Sequence, residues 1–245
     1  MSMDRNNTSC RIQRVERCDL TAVNRPWPFA VENEEAIDFH WDLRTSENPN
    51  FFNGRIQLLA DYSVEGDTLR GAFLETGFKE FLYWRESGEP DAGVTDAFGS
   101  AVIWSSDNGV LLCRQRPGHI NTGLFYLPGG FIDASDVAAD GCIDLANSSA
   151  REVLEETGLG PDVIVRQPGF WLTFSGQQLS IGVEYQSHLT SPDLKDRVTA
   201  HLAIDPNSEL AEVTLVHAMR DVDGVAMPPF ASGLLSHLLA RPPNS

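Results

Sequence analysis

Apolar and polar residues alternate in short, well-punctuated blocks through the second half of this chain. Residues 98–104 are nearly all apolar and predict a buried strand, and Asp107-Asn108-Gly109 is a hairpin turn signal. Residues 110–116 then read as the returning strand, and 125–127 as a short strand running into Pro128-Gly129-Gly130. A helical period covers about 144–157. Two strands follow at 162–174 and 178–189, divided by Ser175-Gly176, with another at 209–217. The segment 229–240 closes the pattern as a helix whose apolar stripe is Leu234, Leu235, Leu238 and Leu239. The stretch 87–96, rich in Gly, Pro and Asp, reads as a linker or long loop.

The first 90 residues are less regular. Residues 10–16 and 55–64 have strand character, and Asn53-Gly54 marks a tight turn. Residues 73–85 hold Phe73, Phe78, Phe81, Tyr83 and Trp84 and read as helix over much of their length. Such an aromatic run reads as packing before ligand stacking, because aromatic side chains dominate core burial.

One segment carries chemistry. Arg151-Glu152-Val153-Leu154-Glu155-Glu156-Thr157-Gly158-Leu159 places carboxylates at i, i+3 and i+4. On a helix these share one face, and three like charges there repel unless a cation offsets them. Magnesium takes carboxylate oxygens and shares them with substrate phosphates. The bland reading is a solvated helix face closed by a glycine cap. The N-terminal end of the helix bears on Glu152. If it starts at Ser149, Ser149-x-x-Glu152 is a capping box and Glu152 turns to the backbone. Leu145 and Ala146 extend the apolar pattern upstream and favour a start near Asp144.

With Gly129-Gly130 upstream, these residues resemble the Nudix hydrolase box: a glycine, five residues, Glu, seven residues, then Arg-Glu-apolar-x-Glu-Glu-x-Gly-apolar. The second half matches from Arg151 to Leu159. In the first half the expected Glu falls on Asp136, and fourteen residues separate it from Arg151 where the family has seven. The box is therefore lengthened by an insert at about 137–143. The resemblance covers about 96–240. It implies an α/β fold, an α/β/α sandwich with a mixed sheet, to which residues 1–95 add a smaller N-terminal α+β region beside a Nudix domain at 96–245.

The resemblance also implies roles. Glu152, Glu155 and Glu156 hold magnesium, with manganese as an alternative, and the Gly130 carbonyl adds a ligand. Arg151 orients a glutamate through an ion pair. Asp133 and Asp136 stand where glutamates are common, as ligands or as loop caps. Glu209 and Glu212 are candidates for the general base. His119 pairs with no motif. Arg114 and Arg116 alternate with Cys113 and Gln115, so both face one side of their strand. They either clamp substrate phosphates or form a solvated face. The implied activity is hydrolysis of a nucleoside diphosphate linked to another moiety. Phe52-Asn53-Gly54-Arg55 with Leu58, Tyr62 and residues 81–84 is similar to the N-terminal region of UDP-sugar diphosphatases. Residues 111–114 through 127–130 are similar to the coenzyme A branch, with Gln115 in place of its serine. A non-catalytic Nudix sensor or interaction module is the competing class.

Charge and cysteines complete the picture. There are 35 acidic against 18 basic residues, a net charge of −17. This predicts no nucleic-acid partner and no anionic membrane surface, and the small nucleotide substrate that the resemblance implies would need local positive charge, which bound cations can supply. A homodimer is compatible with it. Cys10, Cys18, Cys113 and Cys142 show no paired spacing and read as free thiols of a cytoplasmic protein. Residues 1–10 lack the apolar stretch of a signal peptide.

Overall fold

A computed structural model describes residues 10–204 and 208–240. The signal-peptide reading of the N-terminus therefore falls almost wholly outside the described residues. The elements, in chain order, are β1 (Arg11–Val15), β2 (Arg17–Val23), α1 (Pro28–Glu32), α2 (Glu34–Glu47), β3 (Arg55–Glu65), β4 (Thr68–Gly77), α3 (Phe78–Glu86) and β5 (Asp96–Trp104). They continue as β6 (Val110–Gln115), β7 (Phe125–Tyr126), α4 (Leu145–Thr157), β8 (Ile164–Ser175), β9 (Gln178–Ser187), α5 (Ser191–Ile204), β10 (Leu210–Val216) and α6 (Pro229–Leu239).

Two sheets organise them. The larger has seven strands in the order β1-β8-β9-β5-β6-β10, with β7 also paired to β6. It is mixed: β5 runs parallel to β9, and the other pairs are antiparallel. The smaller sheet is β2-β4-β3, with β2 parallel to β4. On one face of the large sheet, Leu145 and Val153 of α4 and Leu194, Val198 and Leu202 of α5 join a single core with Leu69 and Phe73 of the small sheet. On the other face Leu234, Leu235 and Leu238 of α6 pack against Val102, Leu112 and Trp171. The expected α/β/α sandwich and additional N-terminal α+β elements are both present.

Strand β1 is hydrogen-bonded along β8, so residues 11–15 contribute to the large sheet. The helix read over 73–85 needs correction. Residues 73–77 finish β4, where Phe73 opposes Leu59 and is fully buried, and the helix starts at Phe78. Strand pairing overrides the local pattern because Phe73 and Leu74 meet Leu58 and Leu59 across the ladder. Phe81 and Trp84 are fully buried, in line with packing. The insert at 137–143 is not a free loop. Val137 bridges Ile143, and Ala138 donates to the Cys142 carbonyl, making a small hairpin. Its backbone continues onto β2 through Ala22 N–H to Gly141 O and Ile143 N–H to Leu20 O. Cys18, Cys113 and Cys142 are free thiols. No helix among the described residues is long and apolar enough to cross a membrane.

Candidate functional site

Helix α4 begins where its apolar stripe predicts. Asp144 is the N-cap, its carboxylate accepting from the N–H groups of Ala146 and Asn147. Ser149 is therefore one turn inside the helix and accepts a hydrogen bond from the Tyr185 hydroxyl. The capping-box reading of Glu152 fails for that reason, and its side chain is left for other work.

That side chain points at the Gly129-Gly130 turn. A Cβ on Gly130 would lie 3.0 Å from Glu152 Oε2, so a larger residue there would press on the carboxylate. Glu156, one turn on, accepts a 3.0 Å hydrogen bond from the Gly129 N–H. The glutamates thus sit beside adjacent residues of one turn. Burial, then the neighbouring Glu152 charge, pushes Glu156 up to about 8, against the pull of the Gly129 N–H. Burial raises Glu152 as well, despite the Arg151 charge beside it. Two carboxylates held this close and partly out of water lack a full complement of positive charge.

Arg151 supplies part of it. Its guanidinium lies 3.1 Å from Asp136, 2.7 Å from Glu152 and 3.2 Å from Glu155. Burial lowers its proton affinity, but the carboxylates outweigh burial and keep it charged. Asp136 is almost wholly buried and also accepts from the Asp133 N–H, while Asp133 caps the same turn through the Ser135 N–H. Asp136 thus anchors Arg151, and Asp133 acts as a loop cap. Glu155 is largely exposed and faces Arg151. The Gly130 carbonyl accepts from the Gly99 N–H, which ties the turn to β5.

No three acidic, His or Cys side chains among the described residues already converge on one point as a metal site. The donor set nevertheless fits a hard divalent cation: oxygens only, on one helix face, crowded by like charge. Glu152 and Glu156 are placed for it. Glu155 would have to leave Arg151 to join them.

The turn opens into a cleft of about 340 Å³ between the N-terminal elements and the large sheet. Phe78 and Phe131, 6.1 Å apart and edge-on, form part of its wall. Its polar lining includes Arg85, Asp96, Gln115 and Glu209. Arg114 and Arg116 do not line it. They do share one side of their strand, but Gln115 takes the side toward the cleft. Arg114 instead pairs with Glu212, its cross-strand partner, and Arg116 donates to the Leu210 carbonyl. Of the two base candidates, Glu209 lies on the cleft, 3.5 Å from His119. Glu212 is engaged with Arg114.

The family model described as NUDIX domain matches residues 95–230, more than half of the chain. The chain belongs to the NUDIX domain family. Among solved structures it is similar to NrtR of Shewanella oneidensis complexed with a 27mer DNA, at 22% identity and TM-score 0.38, covering 58% of this chain and 59% of that one. It therefore spans under two thirds of that protein. It is also similar to a MutT protein from Methanosarcina mazei Go1, at 20% identity, TM-score 0.40, and 58% and 91% coverage. A third is DR0079 from Deinococcus radiodurans, at 14% identity, TM-score 0.45, and 76% and 99% coverage. No curated protein matches.

The expectation of no nucleic-acid partner is corrected here, because the NrtR structure pairs a similar chain with DNA. Net charge summed over a whole chain does not fix the potential of each face.

Within the Nudix box, the stretched half is accounted for by the hairpin on β2 and by Asp136 beneath Arg151. On the hydrolase reading proposed below, Arg151→Met is expected to lower kcat by about 10–100-fold and raise the magnesium needed for half-maximal rate, the scale seen when groups that orient metal ligands are removed. Arg151→Lys should recover part of that loss, since a point charge keeps some of the pairing. Equal losses in both variants, with unchanged magnesium dependence, would show a structural role only.

Asp96 was not singled out by any motif. It is 2% exposed, and its side chain accepts a hydrogen bond from Gln178 Nε2 at Oδ2, at 3.1 Å. Burial pushes its carboxyl up to about 6, against the nearby Arg85 charge and Gln178. The folded pKa lies above the unfolded one. Below about pH 4 both states are protonated. As pH rises through about 6 the folded state must carry a buried charge and loses stability. Asp96→Asn is therefore expected to melt about 5 °C above wild type at pH 8. The difference should vanish near pH 4 in thermal melts by circular dichroism.

Proposed function

We propose that this protein is a divalent-metal-dependent hydrolase that cleaves the pyrophosphate of a nucleoside diphosphate linked to a second moiety. The observation that carries the reading is the placement of Glu152 and Glu156 beside Gly129-Gly130, two residues that line an aromatic-walled cleft. Glu152 and Glu156 would hold magnesium or manganese, with Glu155 joining from the same face. A bound divalent ion would neutralise phosphate oxygens and lower the pKa of a coordinated water.

The chain's own residues do the rest. Arg151 sets the direction of Glu152 while itself held by Asp136. The Gly129 N–H holds Glu156 at the turn. Glu209, which lines the cleft, would take a proton from the attacking water. The aromatic wall keeps the non-reacting part of the ligand out of bulk solvent, which favours a flat, apolar-faced group there.

Similarity of the N-terminal region to UDP-sugar diphosphatases supports nucleotide sugars as the first substrates to try, with coenzyme A and dinucleotides next. The test is a panel of these and of nucleoside triphosphates, with magnesium or manganese and with products identified by mass. Cleavage between the two phosphorus atoms of one class is the expected result. No turnover of any member under either metal would place the chain with the non-catalytic Nudix modules.

A further inference from the structure

Asp96, Phe98 and Ser100 occupy alternate positions of β5 and all line the cleft. Strand alternation puts them on one side in a row. Gly99, between Phe98 and Ser100 in the chain, donates to the Gly130 carbonyl, so the row runs beside the box turn. At about 3.3 Å per residue, Asp96 stands about 10 Å along β5 from the level of the box. A ligand with its diphosphate at the Gly129-Gly130 turn would reach Asp96 with its nucleoside.

Asp96 is unusual among the cleft's polar groups. Gln178 donates to one of its oxygens, but the other, Oδ1, is buried and finds no hydrogen-bond partner among the described residues. Arg85, a cation of the cleft, gives its Nη2 to Asn121. A buried acceptor left unpaired costs stability, and such groups in native proteins call for an explanation. An incoming donor would satisfy it.

We propose that Asp96 is the specificity residue of this cleft and accepts the N1–H and N2–H groups of a guanine base, making the substrate a guanosine diphosphate derivative. This rests on the pyrophosphatase reading of the same site. A carboxylate only accepts hydrogen bonds, and its two oxygens keep lone pairs to spare beyond the one used by Gln178. Guanine offers two adjacent N–H donors on its pairing edge. Adenine turns its N1 lone pair toward the same position, and uracil flanks a single N–H with two carbonyl oxygens. Both therefore bring acceptors against a carboxylate, and that repulsion discriminates as much as the attraction does. Hypoxanthine, with N1–H but no amino group, should rank between guanine and the others. Phe78 and Phe131 offer apolar surface for the base, whichever base enters.

The test is calorimetric binding of GDP, IDP, ADP, UDP and 2′-deoxy-GDP to the full chain in magnesium, a readout that needs no turnover. GDP is expected to bind about 10-fold more tightly than ADP or UDP, the discrimination typical of a bidentate base contact, with IDP between them. Asp96→Asn, which supplies a donor and an acceptor suited to adenine, should remove or reverse that preference. A melting curve establishes that the variant is folded, and the wild-type ranking tests the proposal without it. Equal affinities for GDP, ADP and UDP, or no nucleotide binding at all, would overturn the assignment. So would an unchanged GDP preference in folded Asp96→Asn. A penalty for 2′-deoxy-GDP that disappears in Asp96→Asn would place the carboxylate on the ribose and also overturn it. Guanine-selective binding without hydrolysis of any panel member would uphold this inference and reject the catalytic reading. Hydrolysis indifferent to the base would do the reverse.

Discussion

Glu156→Gln is expected to lower metal-dependent hydrolysis by about 10³-fold, since metal-assisted charge stabilisation contributes several kcal/mol to such reactions. Glutamine keeps the shape and still accepts from the Gly129 N–H, but it removes the charge a divalent ion needs. The fold should survive. Glu156 is pushed up to about 8 by burial and by Glu152, so an uncharged side chain is no worse at this position. In chelator the variant should melt no lower than wild type. The decisive measurements are kcat over a magnesium titration and binding of manganese followed by its electron spin resonance. Wild-type turnover in Glu156→Gln would remove the metal assignment. Glu155→Gln should cost less, because Glu155 is exposed and turned to Arg151 in this structure.

Gly129→Ala should be the most damaging substitution for the fold near the site. Gly129 has φ +142°, a conformation that residues with a Cβ rarely adopt. An added Cβ would collide with the Gly99 carbonyl and lie 2.9 Å from Ser100 Cα. Both belong to β5, which is hydrogen-bonded along β9 inside the sheet and cannot retreat. Strain and clash together should cost about 3 kcal/mol or more, a fall in Tm of about 10 °C for a chain of this size. Gly130→Ala is the contrast. There the Cβ meets only the Glu152 carboxylate, which can turn aside. It should melt close to wild type while losing activity through Glu152. Thermal melts and kcat on both variants separate the two roles of the turn, and similar Tm losses in both would contradict this division.

Much of this could be read along the chain because it depends on neighbours in sequence. The strands of the large sheet appear as apolar blocks between turn residues, and α4 shows its start in Asp144 and its apolar stripe. Helix α5, absent from the elements the sequence predicts, does bury Leu194, Val198 and Leu202 at helical spacing. Helix α2 was not legible: Ile37 is its one buried residue, while Phe39 and Leu43 lie exposed, so its sequence carries no clear apolar face. Strand β2 buries only Leu20, and the end of β4 looked helical because its partners lie on β3, up to about 20 residues earlier.

The sequence by itself determined the box carboxylates, their shared helix face and the family. Those follow from residue identity at fixed spacing on one regular element. Tertiary structure decided which of them face the glycine turn, that Arg151 is held from below by Asp136, and that the insert is a hairpin carried on β2. It also turned Gln115 toward the cleft in place of its arginine neighbours, and left Asp96 buried there with an unpaired oxygen. Each of these is set by contact between distant segments and by exclusion from water, and neither is written in local spacing.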